Sequence, residues 1–123
     1  MDRALQIELY KVKREIRIHG NVYKVHEILR DEYGEQNGEQ EKGNIIGLFH
    51  TVKGYTKKSV TDGTEIAIKA QPKMIVTDEQ IKNVIVGNII IINGARYIVN
   101  DINNIQEYNI IYDLSLERVV EDV

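Results

Sequence analysis

The chain has no cysteine, no tryptophan, one proline and one phenylalanine among its 123 residues. Without cysteine there can be no disulfide and no thiolate metal site, which fits a reducing compartment. No apolar run reaches the length that crosses a bilayer, so a soluble chain with no membrane partner is expected. The opening residues, Met1 to Glu8, carry charge where a secretory signal needs an apolar stretch. Serine occurs only at Ser59 and Ser115, neither on a Gly-x-Ser-x-Gly turn, which leaves a hydrolase triad without an anchor. The nine glycines never form a dinucleotide or phosphate loop. His19, His26 and His50 share no metal-ligand spacing; His19 reads as a turn residue and His50 as a half-buried strand residue. The expectation is a non-enzyme with no catalytic residues, cofactor or metal. A net charge of −3 also argues against a surface built throughout to coat nucleic acid.

What the chain does have is isoleucine and valine in alternating runs, the pattern of half-buried strands. In the stretch from Ile90 to Ile102, alternation at Ile90 and Ile92 resumes at Tyr97 and Val99, with Asn93-Gly94 between them. Asn-Gly is the strongest short hairpin signal, because both turn residues need positive φ. The same spacing occurs at Ile16, Ile18, Gly20, Tyr23, Val25 and Ile28, at a constant offset of 74 positions. Either the chain carries a duplicated half, or good hairpins simply look alike. On this reading Gly20 and Gly94 are both turn glycines with positive φ.

In chain order, Leu5, Ile7 and Leu9 alternate, which favours a first strand in residues 1–12, and the first hairpin spans 14–30. Residues 31–44 hold five acids, Asp31, Glu32, Glu35, Glu39 and Glu41, against Lys42, with almost nothing to bury; a mobile loop is expected. A strand follows at Ile45–Val52, with Ile45 and Phe49 on one face and Ile46, Leu48, His50 and Val52 on the other. Residues 53–63 form a second polar stretch, basic through Lys53, Lys57 and Lys58. Strand character returns at 64–70, is broken by Gln71-Pro72, and resumes at Lys73–Val76. Thr77 to Gln80 fits a capping box, so a short helical segment to about Val84 is expected. Ile110, Tyr112, Leu114 and Leu116 give a last strand. The sum is one all-β domain over residues 1–123, a small antiparallel barrel or sandwich of seven or eight strands. It carries one short helical segment and long polar loops.

Two features bear on partners. Lys53, Lys57, Lys58, Lys69 and Lys73 cluster with Tyr55, and a barrel with a basic loop and an aromatic can grip a phosphate backbone or stack a base. A monomeric oligonucleotide-binding barrel working through the Lys53–Lys73 region is therefore one reading. The run Ile89 to Ile92 is apolar on both faces, so its outward side chains need another layer, the short helix or another subunit.

Gly87-Asn-Ile-Ile-Ile-Ile-Asn-Gly-Ala-Arg-Tyr-Ile-Val99, with Asn104-Ile-Gln-Glu-Tyr108 and Tyr112-Asp-Leu-Ser-Leu-Glu117, resembles the C-terminal half of tailed-phage head–tail connector proteins. These are the small β-barrel head-closure, or stopper, proteins of phages and prophages in Gram-positive bacteria. Their pattern is a Gly-Asp-like turn, a strand, a Gly turn, Tyr-x-Val and a Leu-x-Leu ending; this chain has Asn88 where aspartate is usual. The resemblance covers residues 63–119 well, and 31–44 with Gly47 to His50 more loosely. It implies a virion-neck protein, made in the bacterial host cytoplasm. Such a protein forms a six- or twelvefold ring between a portal or adaptor above and a tail or tail-terminator protein below, and helps hold packaged DNA without sequence specificity. Under it, Glu32, Glu35, Glu39 and Glu41 belong to a loop facing the channel or a neighbour. Lys53, Tyr55, Lys57 and Lys58 belong to a loop touching a subunit or partner. Opposite charge on the two loops suits a head-to-tail ring contact.

Overall fold

The computed structural model describes residues 2–60 and 63–120, with side chains for 2–52 and 70–120. Its framework is a closed antiparallel barrel of six strands: β1 (Asn21–Arg30), β2 (Gln36–Val60), β3 (Gly63–Thr77), β4 (Ile89–Ile92), β5 (Ala95–Asn104) and β6 (Ile111–Arg118). The circuit runs β1-β2-β3-β6-β5-β4, and three residue pairs, Lys24–Ile91, Val25–Ile90 and His26–Ile89, close it. Closure leaves the barrel without a free sheet edge. Alternate residues of every strand point inward: Val25, Ile45, Met74, Val76, Ile90, Ile92, Val99, Leu114 and Leu116 form the buried interior with Val84. Ile45 and Phe49 face this interior, while Leu48 belongs to the outer cluster, as alternation in 45–52 requires. Phe49 and Tyr97 meet inside with ring centroids 5.6 Å apart.

The N-terminal segment differs from expectation. Residues Arg3–His19 form a helix, α1, not a strand and the first arm of a hairpin. Ile16 and Ile18 decide the matter: as strand residues they would share a face, yet Ile16 is 1% exposed and Ile18 59%. Leu5, Leu9, Val12 and Ile16, spaced four, three and four apart, make the inward stripe of a 3.6-residue period. Three alternating residues fit either period; the twelve residues from Leu5 to Ile16 fit only one. Asp2 caps the helix, its carboxylate accepting from the Ala4 and Leu5 amides at 3.0 and 3.3 Å. The apparent repeat therefore fails in its first arm, which is helical at 16–19 and strand at 90–92. Both readings of it, duplication and look-alike hairpins, lapse together.

α1 is a second layer over outward aliphatics of β2, β3 and β6, and Ile89 and Ile91 of β4 are not in the cluster it forms. Leu9 and Ile16 pack with Ile110 and Ile111, joined by Val12, Leu48, Ile75, Ile105 and Tyr108, so that α1 lies over β2, β3 and β6. Lys13 reaches Asp78 at 2.7 Å and Arg17 donates from Nε to Glu79 at 2.8 Å, which ties the helix to α2 (Asp78–Ile81). α2 is a single turn, shorter than the capping box suggests. The Thr77 side chain makes no cap bond, and Gln80 instead accepts from the Ile46 amide at 3.1 Å.

The two polar stretches are strand rather than loop. β2 is 25 residues long: Gln36–Gly47 pair with β1 and Gly47–Val60 with β3. Beyond the barrel wall each pairing continues as a two-stranded ribbon. One joins Glu27–Arg30 to Gln36–Gln40; the other joins Thr51–Val60 to Gly63–Pro72. Ladder hydrogen bonds satisfy the backbone there, a route the low hydrophobicity of 31–44 concealed. Pro72 does not interrupt β3. It lies just past Lys73, where the pairing with β6 stops, so its missing N–H falls in the ribbon.

Candidate assembly surface

At the turn of the β1–β2 ribbon, Asp31 organises the chain. One carboxylate oxygen accepts from the Tyr33 amide at 2.9 Å and the Glu35 amide at 3.0 Å. The Gly34 amide donates to the Asp31 carbonyl at 3.0 Å, and the Asp31 amide to the Glu35 carbonyl at 2.9 Å. An aspartate that holds its own turn this way is common chemistry, and Gly34 supplies the positive φ of +82° that the turn needs. Arg30 closes the same turn by donating to the Gly34 carbonyl at 3.1 Å. The tip is thus rigidly bonded, with Glu32, Tyr33 and Glu35 projecting from it into solvent.

The four acids expected to act together are separated. Glu32 and Glu35 sit at the tip. Glu41 is an exposed strand residue opposite His26. Glu39 is half-buried against the barrel, where Arg96 of β5 donates to one oxygen and His26 Nδ1 lies 2.9 Å from the other. Burial is the largest single influence on the Glu39 carboxyl and pushes its pKa up. The hydrogen bonds and charges of Arg96 and His26 together outweigh it and hold the group below the ordinary carboxylate value. Glu39 is a brace between ribbon and barrel, whereas the tip pair and Glu41 are exposed.

Lys53, Tyr55, Lys57 and Lys58 fall in β2, in register with Ala70, Ile68, Ile66 and Glu65; their side chains lie outside the described residues. Lys73, at the base of that ribbon, is held by Asp113 at 3.3 Å, and the same carboxylate lies 3.6 Å from His50 Nε2. His19, read as a turn residue, ends α1. Of the two turn glycines, Gly94 has φ +80° beside Asn93 at +51°, the paired left-handed residues of a type I′ hairpin. Gly20 has φ −67°, so its role is not the one expected. It caps α1 by donating to the Ile16 carbonyl at 2.8 Å, and a Cβ there would collide with that carbonyl and fall 2.9 Å from Ile46 Cγ2.

Asn88 is a contributor that composition did not flag. It is buried, and its side-chain oxygen accepts from the Ile85 amide and from Lys42 Nζ, both at 3.0 Å. Its backbone carbonyl accepts from Val99 at 2.9 Å, which fixes the start of β4 against β5. Asparagine at this position supplies the one acceptor oxygen these bonds use and carries no charge.

No family model and no curated protein matches the sequence. Among solved structures, the fold is similar to that of a chain in the virion of a native gene transfer agent particle. The TM-score is 0.53 and the identity 12%, over 84% of this chain and 98% of that one. At that identity the likeness is one of fold.

Proposed function

We propose that this chain is a structural protein of a virion neck, a ring subunit that joins a DNA-filled head to a tail and helps close the DNA channel. The observation that supports this most is that this chain, a barrel with two ribbons leaving it, is similar in fold to nearly the whole of a chain from a virion. The sequence resemblance to head-closure proteins points the same way from residues 63–119. In this reading the chain is not an enzyme, and its work is done by surfaces. The barrel is the rigid subunit body, the β1–β2 ribbon meets a neighbouring copy or the channel, and the β2–β3 ribbon meets a head-side or tail-side protein. Acidic side chains at a channel wall would repel phosphate and let DNA slide past, while basic ones would grip it.

The rival is a monomeric oligonucleotide-binding barrel working through Lys53 to Lys73. Lys73 is already engaged by Asp113, which weakens that reading. One experiment separates them. The chain is tagged in cells that produce the particles, and purified particles are probed for it before and after DNA release, while the free protein is titrated with short DNA across salt concentrations. A neck subunit stays with the particles and binds free DNA weakly or not at all. Absence from particles, with tight binding that falls steeply with salt, would overturn the proposal in favour of the rival.

A further inference from the structure

The outer face of α1 is built unlike a solvated helix face. Arg3, Ile7, Tyr10, Arg14 and Ile18 follow one another at four, three, four and four residues, a single stripe on the side away from the barrel. Ile7, Tyr10 and Ile18 are 50%, 52% and 59% exposed. Single exposed apolar side chains are ordinary, but three in line on one helix are a patch. The neighbouring cations are engaged, Lys11 with Glu8, Lys13 with Asp78 and Arg17 with Glu79. Arg3 and Arg14, within the stripe, have no acidic partner among the described residues.

The β1–β2 tip is its complement. Tyr33 is 82% exposed between Glu32 and Glu35, while the other charges of the turn, Arg30 and Asp31, are taken up by internal bonds. The tip is already ordered by those bonds, so docking it costs little conformational entropy. An anionic aromatic knob and a cationic apolar stripe match in both charge and polarity. They also lie on different parts of the molecule. α1 covers β2, β3 and β6, whereas the tip extends past the end of the β1–β4 pairing.

We infer that the β1–β2 tip of one copy, through Glu32, Tyr33 and Glu35, docks on the outer stripe of α1 of the next copy, through Ile7, Tyr10, Arg14 and Ile18. The contact is heterologous, so it repeats from copy to copy and closes into a ring when the rotation allows. This rests on the ring reading above and names the surfaces that make it. The contact is small, so a single pair is weak and closure of the ring supplies the rest.

The absence of cysteine makes the test clean. Tyr10→Cys and Tyr33→Cys variants are mixed and mildly oxidised, which traps even brief contacts, with Ile85→Cys as an exposed control. The expected result is a Tyr10→Cys/Tyr33→Cys heterodimer forming several-fold faster than either variant pairs with the control. The excess should vanish when the tip partner also carries Glu32→Arg and Glu35→Arg, and return when the helix partner carries Arg3→Glu and Arg14→Glu. Equal rates for all pairs would overturn the inference. In purified particles, a chain carrying both cysteines should link only to itself in a ladder. Links from position 10 or 33 to other proteins instead would overturn the inference and leave the virion reading standing. Absence of the chain from the particles would remove that reading and the ring with it.

Discussion

Glu39 lies where the β1–β2 ribbon leaves the barrel, and its carboxylate bonds to His26 of β1 and Arg96 of β5. Its pKa is depressed in the folded protein, so the unfolded chain binds the proton more readily. The stability it contributes is therefore complete above the ordinary value of 4.5 and is lost as pH falls through the lower folded value. Glu39→Gln should cost about 1 kcal/mol at neutral pH, with the gap to the parent closing in acid. Urea midpoints at the two pH values check this; a gap that persists in acid would mean the carboxylate charge is not what matters. Gly94→Val should cost about 1–2 kcal/mol, because valine in the left-handed region is strained. An unchanged melting midpoint would contradict the type I′ turn. Gly94 was legible because Asn-Gly is a local signal. Gly20 was not, since what forbids a side chain there is first the Ile16 carbonyl at the end of a helix that the alternation concealed, and then Ile46, twenty-six residues away in sequence.

At the scale of elements, strands at 45–52, 89–92 and 95–104 could be read from alternation, and the last strand nearly to its ends. The long helix could not be read from its first nine residues, where Leu5, Ile7 and Leu9 satisfy both periods; only Ile16 against Ile18 separates them. The β1–β2 ribbon escaped because residues 32–38 are exposed, and burial is what periodicity detects. Glu32, Glu35, Glu39 and Glu41 were all expected in one loop facing the channel or a neighbour, and no local pattern sets Glu39 apart, because it acquires its partner Arg96 only through barrel closure. Among the described residues the β2–β3 ribbon beyond Pro72 has two strands and no third, and such a hairpin is marginal alone in water. Its amides should therefore exchange with solvent orders of magnitude faster than those of β6 or the barrel portion of β2. Hydrogen exchange read by mass spectrometry checks this. Equal protection would mean that the ribbon is supported by something other than its own ladder.

For the whole molecule, the all-β class and the closed barrel agree with the sequence reading, with six strands in place of seven or eight among the described residues. Strand number was overestimated because β3 was divided at Pro72 and the helix counted as strand. A barrel that buries its own core needs no partner to fold. The free protein should sediment as a monomer at micromolar concentration, joined only through weak tip contacts. A stable large ring at that concentration without partners would show a larger interface than the tip and α1 provide. Removing residues 34–42 would delete β2 residues paired to β1 together with the Glu39 brace, so it should destabilise the barrel. The change that probes the tip while sparing the fold is Tyr33→Ser with Glu32→Gln and Glu35→Gln, which should leave the melting midpoint within a degree or two while weakening assembly.

β2 is one uninterrupted strand whose ends belong to two different protrusions. Tension applied between those protrusions runs along covalent backbone, like load along a tie rod, and reaches the hydrogen-bond ladder only as β2 is straightened within the barrel. Pulling on the chain termini loads α1 and β6 instead and peels the barrel from its last strand. Single-molecule extension should therefore need more force with handles at the two ribbons than with handles at residues 2 and 120, and equal forces would remove this mechanical asymmetry. A subunit strung this way can transmit strain from one neighbour to the next while its core remains packed.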